Sequence, residues 1–407
     1  MKRIFIQSTG VLVISVLFLS LGWLVFEPVV FAAPNLSDTV RAQRDQGLKE
    51  VLNKLLTDDE HPLTADATSL LLMQHSLTGE ERYLERAKQM AERELARKAQ
   101  FVEVSPGPLF DVAAAGGGTL AAAETLLDRT RELMKASPTR ATTDSYGRLV
   151  TDFFKRARAM KNTQAFSEAL SGAGALFASR LRASGNSLHV IPGGSEATFA
   201  SLSDHLEVLN VAIASSEASG SPPAGESVEK LAHTILQRYW SSELGRLDIP
   251  GKEYAGMPEL IVPVLNARTA VALWHAGHLR NNPMFKGRAQ RILNAVYAEG
   301  MKAPESATAV VAAGVSLSET PITIAIVGDP GLPGLGDLRR AAFSVKAPHR
   351  VVVNLDPNQN RSQLEALGLD GSQVAVYVWG YGFRSGALGS PAEIDLAVAE
   401  ALQNRPS

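Results

Sequence analysis

An adjacent acid and histidine, Asp204 and His205, are the side chains of this sequence best suited to proton transfer. Histidine titrates near neutral pH, and a carboxylate beside it can share general acid–base work on a substrate. The pair stands near the start of a helix predicted over residues 198–216, where it would face a cavity between helices. In the alternative, Asp204 caps that helix, a role for which Ser203 competes, and His205 packs against a neighbour.

Four further side chains are candidates for binding a ligand. Trp240 and Trp274 have large faces that can stack on a sugar ring, although aromatic side chains between helices more often serve packing. Asn266 opens a predicted helix and is either a cap or a cavity residue. His275 stands three residues before His278, a spacing that suits metal ligation only if carboxylates converge from elsewhere. We therefore expect no metal site.

Composition excludes several classes of function. The 407-residue chain has no cysteine, which excludes disulfides, thiol catalysis and cysteine-ligated metals. Its formal net charge of −2 comes without a clustered basic face, so we expect no nucleic-acid partner. The glycine-rich run Gly328–Gly336 follows a predicted strand, but Pro330 and Pro333 remove amides that a phosphate group needs. We expect no nucleotide or other cofactor.

The N-terminus carries a segment typical of export or membrane anchoring. Lys2 and Arg3 precede Ile4–Phe26, 23 residues without a charge, which is long enough to span a bilayer. A cleavage site could follow Val30-Phe31-Ala32. We predict that residues 1–33 are a signal peptide or, slightly favoured, a transmembrane anchor. The basic amino end predicts that the rest of the protein lies beyond the cytoplasmic membrane, or is secreted if the signal is cleaved.

Helical hairpins are predicted through most of the chain. The segment Leu63–Lys98 is typical of helix, turn and helix, with a capping box formed by Thr78 and Glu81. Weaker versions of the pattern recur and predict about eleven helices, with Val102–Gly118 as a loop. We therefore predict a mostly α fold, in which residues 34–317 form an (α/α) toroid close to the six hairpins of a closed ring.

The pattern changes at Ser318–Pro321, after which strands and helices alternate. The predicted strands are Ile322–Val327, Arg350–Leu355 and Val374–Trp379. Their β-branched runs favour a central parallel strand covered on both faces. Residues 318–407 are predicted to form a small α/β domain that packs on the toroid.

Four segments together resemble the YyaL-like family, whose vertebrate member is spermatogenesis-associated protein 20. They are Thr78–Lys98, Asn186–Ser216, Asn266–Leu279, and Ile322–Asp329 together with Val374–Ile394. The resemblance implies an α/α toroid related to six-hairpin glycosidases and N-acylglucosamine 2-epimerases, followed by a short α/β segment. It also places Asp204 and His205 on the family's D-[HY] pair.

The chain departs from that family where chemistry would be expected. The family's thioredoxin-like domain is missing, and Trp379 and Arg384 stand about where its terminal cysteines would be. No redox activity therefore carries over, and a shared fold does not determine a function.

Three functions stay open from the sequence. We expect a non-catalytic toroid protein that binds a carbohydrate or an envelope partner. The alternative is a carbohydrate-active enzyme, an isomerase, epimerase or glycosidase, that uses Asp204, His205 and cavity carboxylates. A structural envelope protein with a filled toroid is the third. An enzyme requires several acids that converge on one cavity, whereas a binding protein requires only aromatic and neutral polar groups there.

Overall fold

The computed structural model describes twelve helices before the strand Ile322–Val327. It covers residues 38–58, 64–98, 106–116, 118–136, 142–185, 187–193, 199–250, 253, 261–329, 332, 334–347 and 349–405. The helices are α1 (Asp38–Thr57), α2 (Ala65–Thr78), α3 (Glu81–Lys98), α4 (Gly107–Ala114), α5 (Leu120–Ala136), α6 (Thr143–Met160), α7 (Thr163–Arg180), α8 (Leu202–Ser219), α9 (Pro222–Tyr239), α10 (Ile261–Leu279), α11 (Pro283–Gly300) and α12 (Pro304–Ser318).

Six of these helices form a closed inner ring. In order around the ring, α2, α4, α6, α8, α10 and α12 each contact the next, and α12 contacts α2. Each inner helix also packs on an outer one: α3, α5, α7, α9 and α11 follow their partners in the chain, and α1 packs on α12. The arrangement is a toroid of six helical hairpins, and the predicted mostly helical fold is confirmed.

The predicted loop Val102–Gly118 was wrong, because it contains the inner helix α4. Pro106 occupies the N-cap and Pro108 lies in the first turn, where proline's fixed φ and missing amide suit a helix start. The eight residues end before Gly116, whose φ of 100° no helix accepts. This short helix accounts for the difference between the eleven helices predicted before Ser318 and the twelve observed.

Local caps set where the inner helices begin. Helix α8 starts with a capping box, in which the Ser201 hydroxyl accepts a hydrogen bond from the Asp204 amide and the Asp204 carboxylate accepts a hydrogen bond from the Ser201 amide. The box predicted at Thr78 was wrong. The Thr78 hydroxyl donates instead to the Gln74 carbonyl, because Thr78 is the last residue of α2 and Gly79 ends that helix in the left-handed conformation.

Two short hairpins interrupt the helices. Strand β1 (Leu181–Ser184) pairs with β2 (Ser187–Val190), and β3 (Trp240–Ser241) pairs with β4 (Arg246–Leu247).

The predicted strands after Ser318 are confirmed within one residue. They are β5 (Ile322–Val327), β6 (Arg350–Leu355), β7 (Ala375–Gly380) and the short β8 (Phe383–Arg384), with helices α13 (Leu335–Ser344), α14 (Arg361–Leu367) and α15 (Pro391–Gln403). The sheet order is β6-β5-β7-β8. Strand β5 runs parallel to β6 and antiparallel to β7, so the sheet is mixed.

This α/β segment covers the end of the ring formed by the C-terminal turns of α6, α8 and α10, called here the covered end. Phe343 of α13 and Val351 of β6 are fully buried in the same apolar core as the inner helices. Phe343 contacts Phe154 of α6, with ring centroids 5.9 Å apart. The opposite end, formed by the N-terminal turns of the inner helices, is called the rim. The division of the chain into two domains stays a prediction.

None of the helices within the described ranges combines the length and the apolarity needed to span a bilayer. The predicted signal or anchor at Ile4–Phe26 lies outside the described residues.

Candidate functional site

Partly exposed side chains recur every three or four residues along three neighbouring inner helices. They are Asp144, Arg148, Thr151, Lys155 and Arg158 on α6; Ser203, Glu207, Asn210 and Ala214 on α8; and Arg268, Val271 and His275 on α10. Outer helices and neighbouring inner helices cover the other sides of each helix, so these stripes face the ring interior. They are called here the interior stripes.

Ion pairs support this orientation. Arg148 and Lys155 on the stripe of α6 pair with residues of the two adjacent inner helices, Glu207 of α8 and Asp111 of α4. Arg156, one residue further along, pairs instead with carboxylates of the outer helices α5 and α7. Polar and charged side chains of α6, α8 and α10 therefore face the ring interior.

Charged groups form a connected network at the rim. The Arg268 guanidinium of α10 lies 2.7 Å from the Asp66 carboxylate of α2, and these two inner helices are separated by α12. Arg268 also interacts electrostatically with Glu207 of α8. Arg148 of α6 lies 3.6 Å from Glu207 and 3.1 Å from Asp144. The network thus joins four of the six inner helices across the mouth of the ring.

Glu207 has the environment of a proton donor. Only 14% of its side chain is exposed, and burial raises the pKa of its carboxyl above the ordinary value. The charges of Arg148 and Arg268 and a hydrogen bond from Asn210 act in the opposite direction but do not cancel the effect of burial. A carboxyl group with a raised pKa can stay protonated closer to neutral pH and deliver that proton to a substrate.

Asp144 is a second carboxylate held against the same arginine. It accepts hydrogen bonds from the Thr142 hydroxyl and from Arg148 at 3.1 Å, and the Ser203 hydroxyl lies 3.4 Å away. About a quarter of its side chain is exposed. Asp144 and Glu207 thus both contact the Arg148 guanidinium, but their environments differ. Such a pair is found in active sites where one carboxyl group acts as the acid and the other as the base.

Asp204 and His205 lie at the rim but off the interior stripes. Asp204 accepts hydrogen bonds from the amides of Ser201 and Asp144, both at 2.8 Å. Burial raises its pKa, against the effect of the Ser201 hydrogen bonds. His205 lies 2.7 Å from the Ser201 carbonyl through Nδ1 and packs edge-on against Tyr239 of the outer helix α9. Burial lowers its pKa to about 4, so it is neutral at pH 7.

The two tryptophans contact protein groups away from the interior stripes. The Arg288 guanidinium lies 4.1 Å from the centroid of the Trp240 ring, on the β3–β4 hairpin. Trp274 is 2% exposed, and its ring is tilted by 56° against that of His278, with centroids 4.4 Å apart. Trp274 therefore has no exposed face that could stack on a sugar ring.

Asn266 joins α10 to strand β4. Its side-chain oxygen accepts a hydrogen bond from the Leu247 amide, and its side-chain NH₂ group donates hydrogen bonds to the carbonyls of Leu247 and Val262. The side chain is fully buried, so these contacts are structural.

Of the six side chains singled out in the sequence, His275 lies on an interior stripe. Its Nε2 is 2.9 Å from the Glu217 carboxylate at the covered end. No group of three or more histidine or acidic side chains within the described ranges has a geometry suited to a metal ion.

The sequence reasoning missed Glu207, Arg148 and Arg268. Asp144 and Arg148 are four residues apart on one helix, a spacing that predicts an ion pair. That spacing is common on solvated helix faces, and nothing local in the sequence connects it to Glu207. The signal becomes specific once the ring closes.

Three solved structures are similar to this chain. The GH76A alpha-1,6-mannanase from Salegentibacter sp. HEL1_6 has 12% identity and a TM-score of 0.48, over 68% of this chain and 99% of that one. A UGL variant described with dGlcA-Glc-Rha-Glc has 14% identity and a TM-score of 0.43, over 63% and 83%. An inactive variant of the same mannanase with alpha-1,6-mannotetrose has 12% identity and a TM-score of 0.35, over 63% and 70%.

These similarities concern the arrangement of helices, and their values are too low to assign an activity to this chain. No protein-family model matches the sequence, and no curated protein matches it. The resemblance to the YyaL-like family therefore stays a prediction.

Proposed function

We propose that this protein is a carbohydrate-active enzyme whose substrate enters the ring interior from the rim. The observation that carries the proposal is the pair of carboxyl groups on Arg148: Asp144, and Glu207 with its raised pKa. Cleavage of a glycosidic bond needs one carboxylic acid to protonate the leaving oxygen and one carboxylate to act as base or nucleophile. Glu207 is assigned the first role and Asp144 the second.

Neighbouring groups support the assignment. Asn210 lies 3.5 Å from the Glu207 carboxylate, and Arg148 and Arg268 neutralise the charge that Glu207 acquires when it gives up its proton. Both acids lie on interior stripes, next to neutral polar side chains such as Thr151 that can bind sugar hydroxyls. By the criterion of converging acids, an enzyme is favoured over the binding protein expected from the sequence.

Turnover tests the proposal. The full chain is incubated with a panel of oligosaccharides that includes alpha-1,6-mannotetrose and unsaturated uronyl saccharides, and products are detected by mass spectrometry. Glu207→Gln and Asp144→Asn are each expected to lower turnover by about 10²-fold or more, because each removes an acid–base group.

Matched controls are Glu226→Gln and Asp128→Asn, whose side chains are 63% and 67% exposed. Both controls should keep full turnover. Retained turnover in Glu207→Gln or Asp144→Asn would contradict the assigned roles.

Binding without turnover is the second candidate. The interior stripes carry neutral polar side chains such as Ser203 and Asn210, which can form hydrogen bonds with sugar hydroxyls without an acid–base step. A wild-type chain that binds a saccharide by calorimetry and yields no product would favour this function over the enzyme.

The location proposed for the protein rests on its N-terminal segment. We propose that Ile4–Phe26 directs the toroid to the outer side of the cytoplasmic membrane, as an anchor or as a cleaved signal. A phosphatase reporter that works only after export should be active when fused behind Ser407. An inactive fusion would contradict export.

We also propose that the chain is a divergent YyaL-like protein. Its support is the shared order of the four sequence segments, the last of which combines Ile322–Asp329 with Val374–Ile394. An alignment of the chain with YyaL-like members, built from intermediate sequences, should keep that order. An order that breaks would contradict membership.

A further inference from the structure

Three cationic side chains meet where the ring interior reaches the covered end. Lys155 of α6 lies 2.6 Å from the Asp111 carboxylate of α4. Arg350 of β6 donates two hydrogen bonds to the Phe343 carbonyl and lies 3.6 Å from Glu217. Arg158, in the last turn of α6, is the third. The first two cations therefore have anionic partners.

Arg158 has no anionic partner within the described residues. Its Nε atom is buried without a hydrogen bond, and the contact recorded for its guanidinium is the Phe343 ring, 5.2 Å from the ring centroid. The Arg350 guanidinium lies 5.0 Å from the same centroid. Two like charges thus lie close to one phenyl ring, and of these two arginines only Arg350 pairs with Glu217 within the described residues.

The cost of this arrangement appears on Arg350. Burial and the charge of Arg158 together lower its pKa to about 9, while the charge of Glu217 acts in the opposite direction. An additional anion in contact with the Arg158 guanidinium would relieve this repulsion.

Arg158 lies on the stripe of α6 that begins at the rim with Asp144. It ends the interior stripe of α6, on which Arg148, Thr151 and Lys155 are also partly exposed. Thr151 lies about two helical turns closer to the rim on the same stripe, and its hydroxyl also has no hydrogen-bond partner within the described residues. A ligand that enters from the rim passes this hydroxyl before it reaches the guanidinium.

We propose that an oxyanion, a carboxylate or a phosphate group, binds in the ring interior beside Arg158, with Arg350 contributing the second charge. The planar guanidinium matches the two oxygens of such a group. Two sources share this chemistry: a uronic acid residue of a saccharide, and a phosphate ester or free phosphate. The inference concerns binding alone and does not require catalysis at Glu207.

Thermal denaturation of the full chain tests the site. The probes are sodium glucuronate and inorganic phosphate, with glucose and sodium chloride of matched ionic strength as references. The wild-type Tm is expected to rise by several degrees and to saturate with one or both anions, and to stay unchanged with glucose. Saturation with glucuronate indicates a sugar acid, and saturation with phosphate alone indicates a phosphate group.

Variants locate the effect. Arg158→Gln should lower the affinity for the anion by about tenfold or more, since it removes the charged donor. Arg158→Lys should retain part of the binding. The matched control is Arg361→Gln, whose side chain is 85% exposed, and it should respond like the wild type. Glu207→Gln should keep the anion response even where it loses turnover, which separates this inference from the proposed function.

Three results would overturn the inference. They are a wild-type Tm that neither anion raises above the chloride reference, a response that Arg158→Gln keeps in full, and a loss in Arg361→Gln as large as that in Arg158→Gln.

Discussion

Replacing Glu217 by glutamine tests how the α/β segment is held on the ring. The Glu217 side chain is 2% exposed. Its Oε1 atom lies 2.9 Å from His275 Nε2 and accepts a hydrogen bond from the Val352 amide at 2.9 Å, while Arg350 lies 3.6 Å from Oε2. An amide keeps the size of the side chain and removes its charge. Arg350 would then be buried without a counter-charge.

Two routes give the magnitude. Burial alone would raise the pKa of Glu217, but the charges of His275 and Arg350 and the hydrogen bonds from His275 and Val352 lower it to about 2 from 4.5. That difference corresponds to about 3 kcal/mol of the free energy of unfolding. Removing one partner of a buried ion pair typically costs about 3–5 kcal/mol, which agrees.

The pH dependence follows from the same values. Because the folded pKa of Glu217 is below the unfolded one, its stabilisation is complete above about pH 4.5 and is lost as the pH falls toward 2. The wild type and Glu217→Gln should therefore differ by about 3 kcal/mol at pH 7 and by less at pH 3.

Urea denaturation at both pH values measures the difference. Glu226→Gln, on an exposed helix face, is the control and should stay within about 0.5 kcal/mol of the wild type. The reasoning is refuted if Glu217→Gln is no less stable than Glu226→Gln at pH 7, or if the difference does not shrink at pH 3.

Three further predictions concern stability. Burial lowers the folded pKa of three histidines to about 3 to 4, below the unfolded value of 6.5: His205, His278 and His349. The free energy of unfolding, measured in urea, should therefore decrease as the pH falls from 6.5 to 4. A flat pH profile would contradict this. Asn266→Ala leaves both backbone groups of Leu247 unpaired and should lower the free energy of unfolding by about 2 kcal/mol or more in urea, unlike Asn358→Ala on an exposed turn. Gly147→Ala places a methyl group 2.7 Å from the Glu207 Cβ and should lower the Tm, whereas Gly174→Ala, which meets no atom within 4 Å, should not.

Much of the fold was predictable because its signals are local. The β-branched runs Ile322–Val327 and Arg350–Leu355 coincide with β5 and β6, since a strand covered on both faces requires apolar side chains throughout. Amphipathic repeats likewise revealed the hairpins. Helix α4 was missed because eight residues give barely two turns, too few to display a period between prolines and glycines.

The site was less predictable because its contacts span the chain. Asp204 and His205 drew notice as neighbours in sequence, yet successive residues of a helix point about 100° apart. Asp204 therefore faces the start of α6, while His205 faces Tyr239 of the outer layer. Glu207 meets Arg148 across 59 positions of sequence, a contact that exists only after the inner helices α6 and α8 pack against each other.

The most direct test of the ring interior as the functional site is a crystal structure of Glu207→Gln with a saccharide that the turnover panel identifies. The account predicts sugar density between α6, α8 and α10, in contact with Asp144 and the Gln side chain introduced at position 207. Density on Trp240 instead, or an empty interior at saturating saccharide, would contradict it.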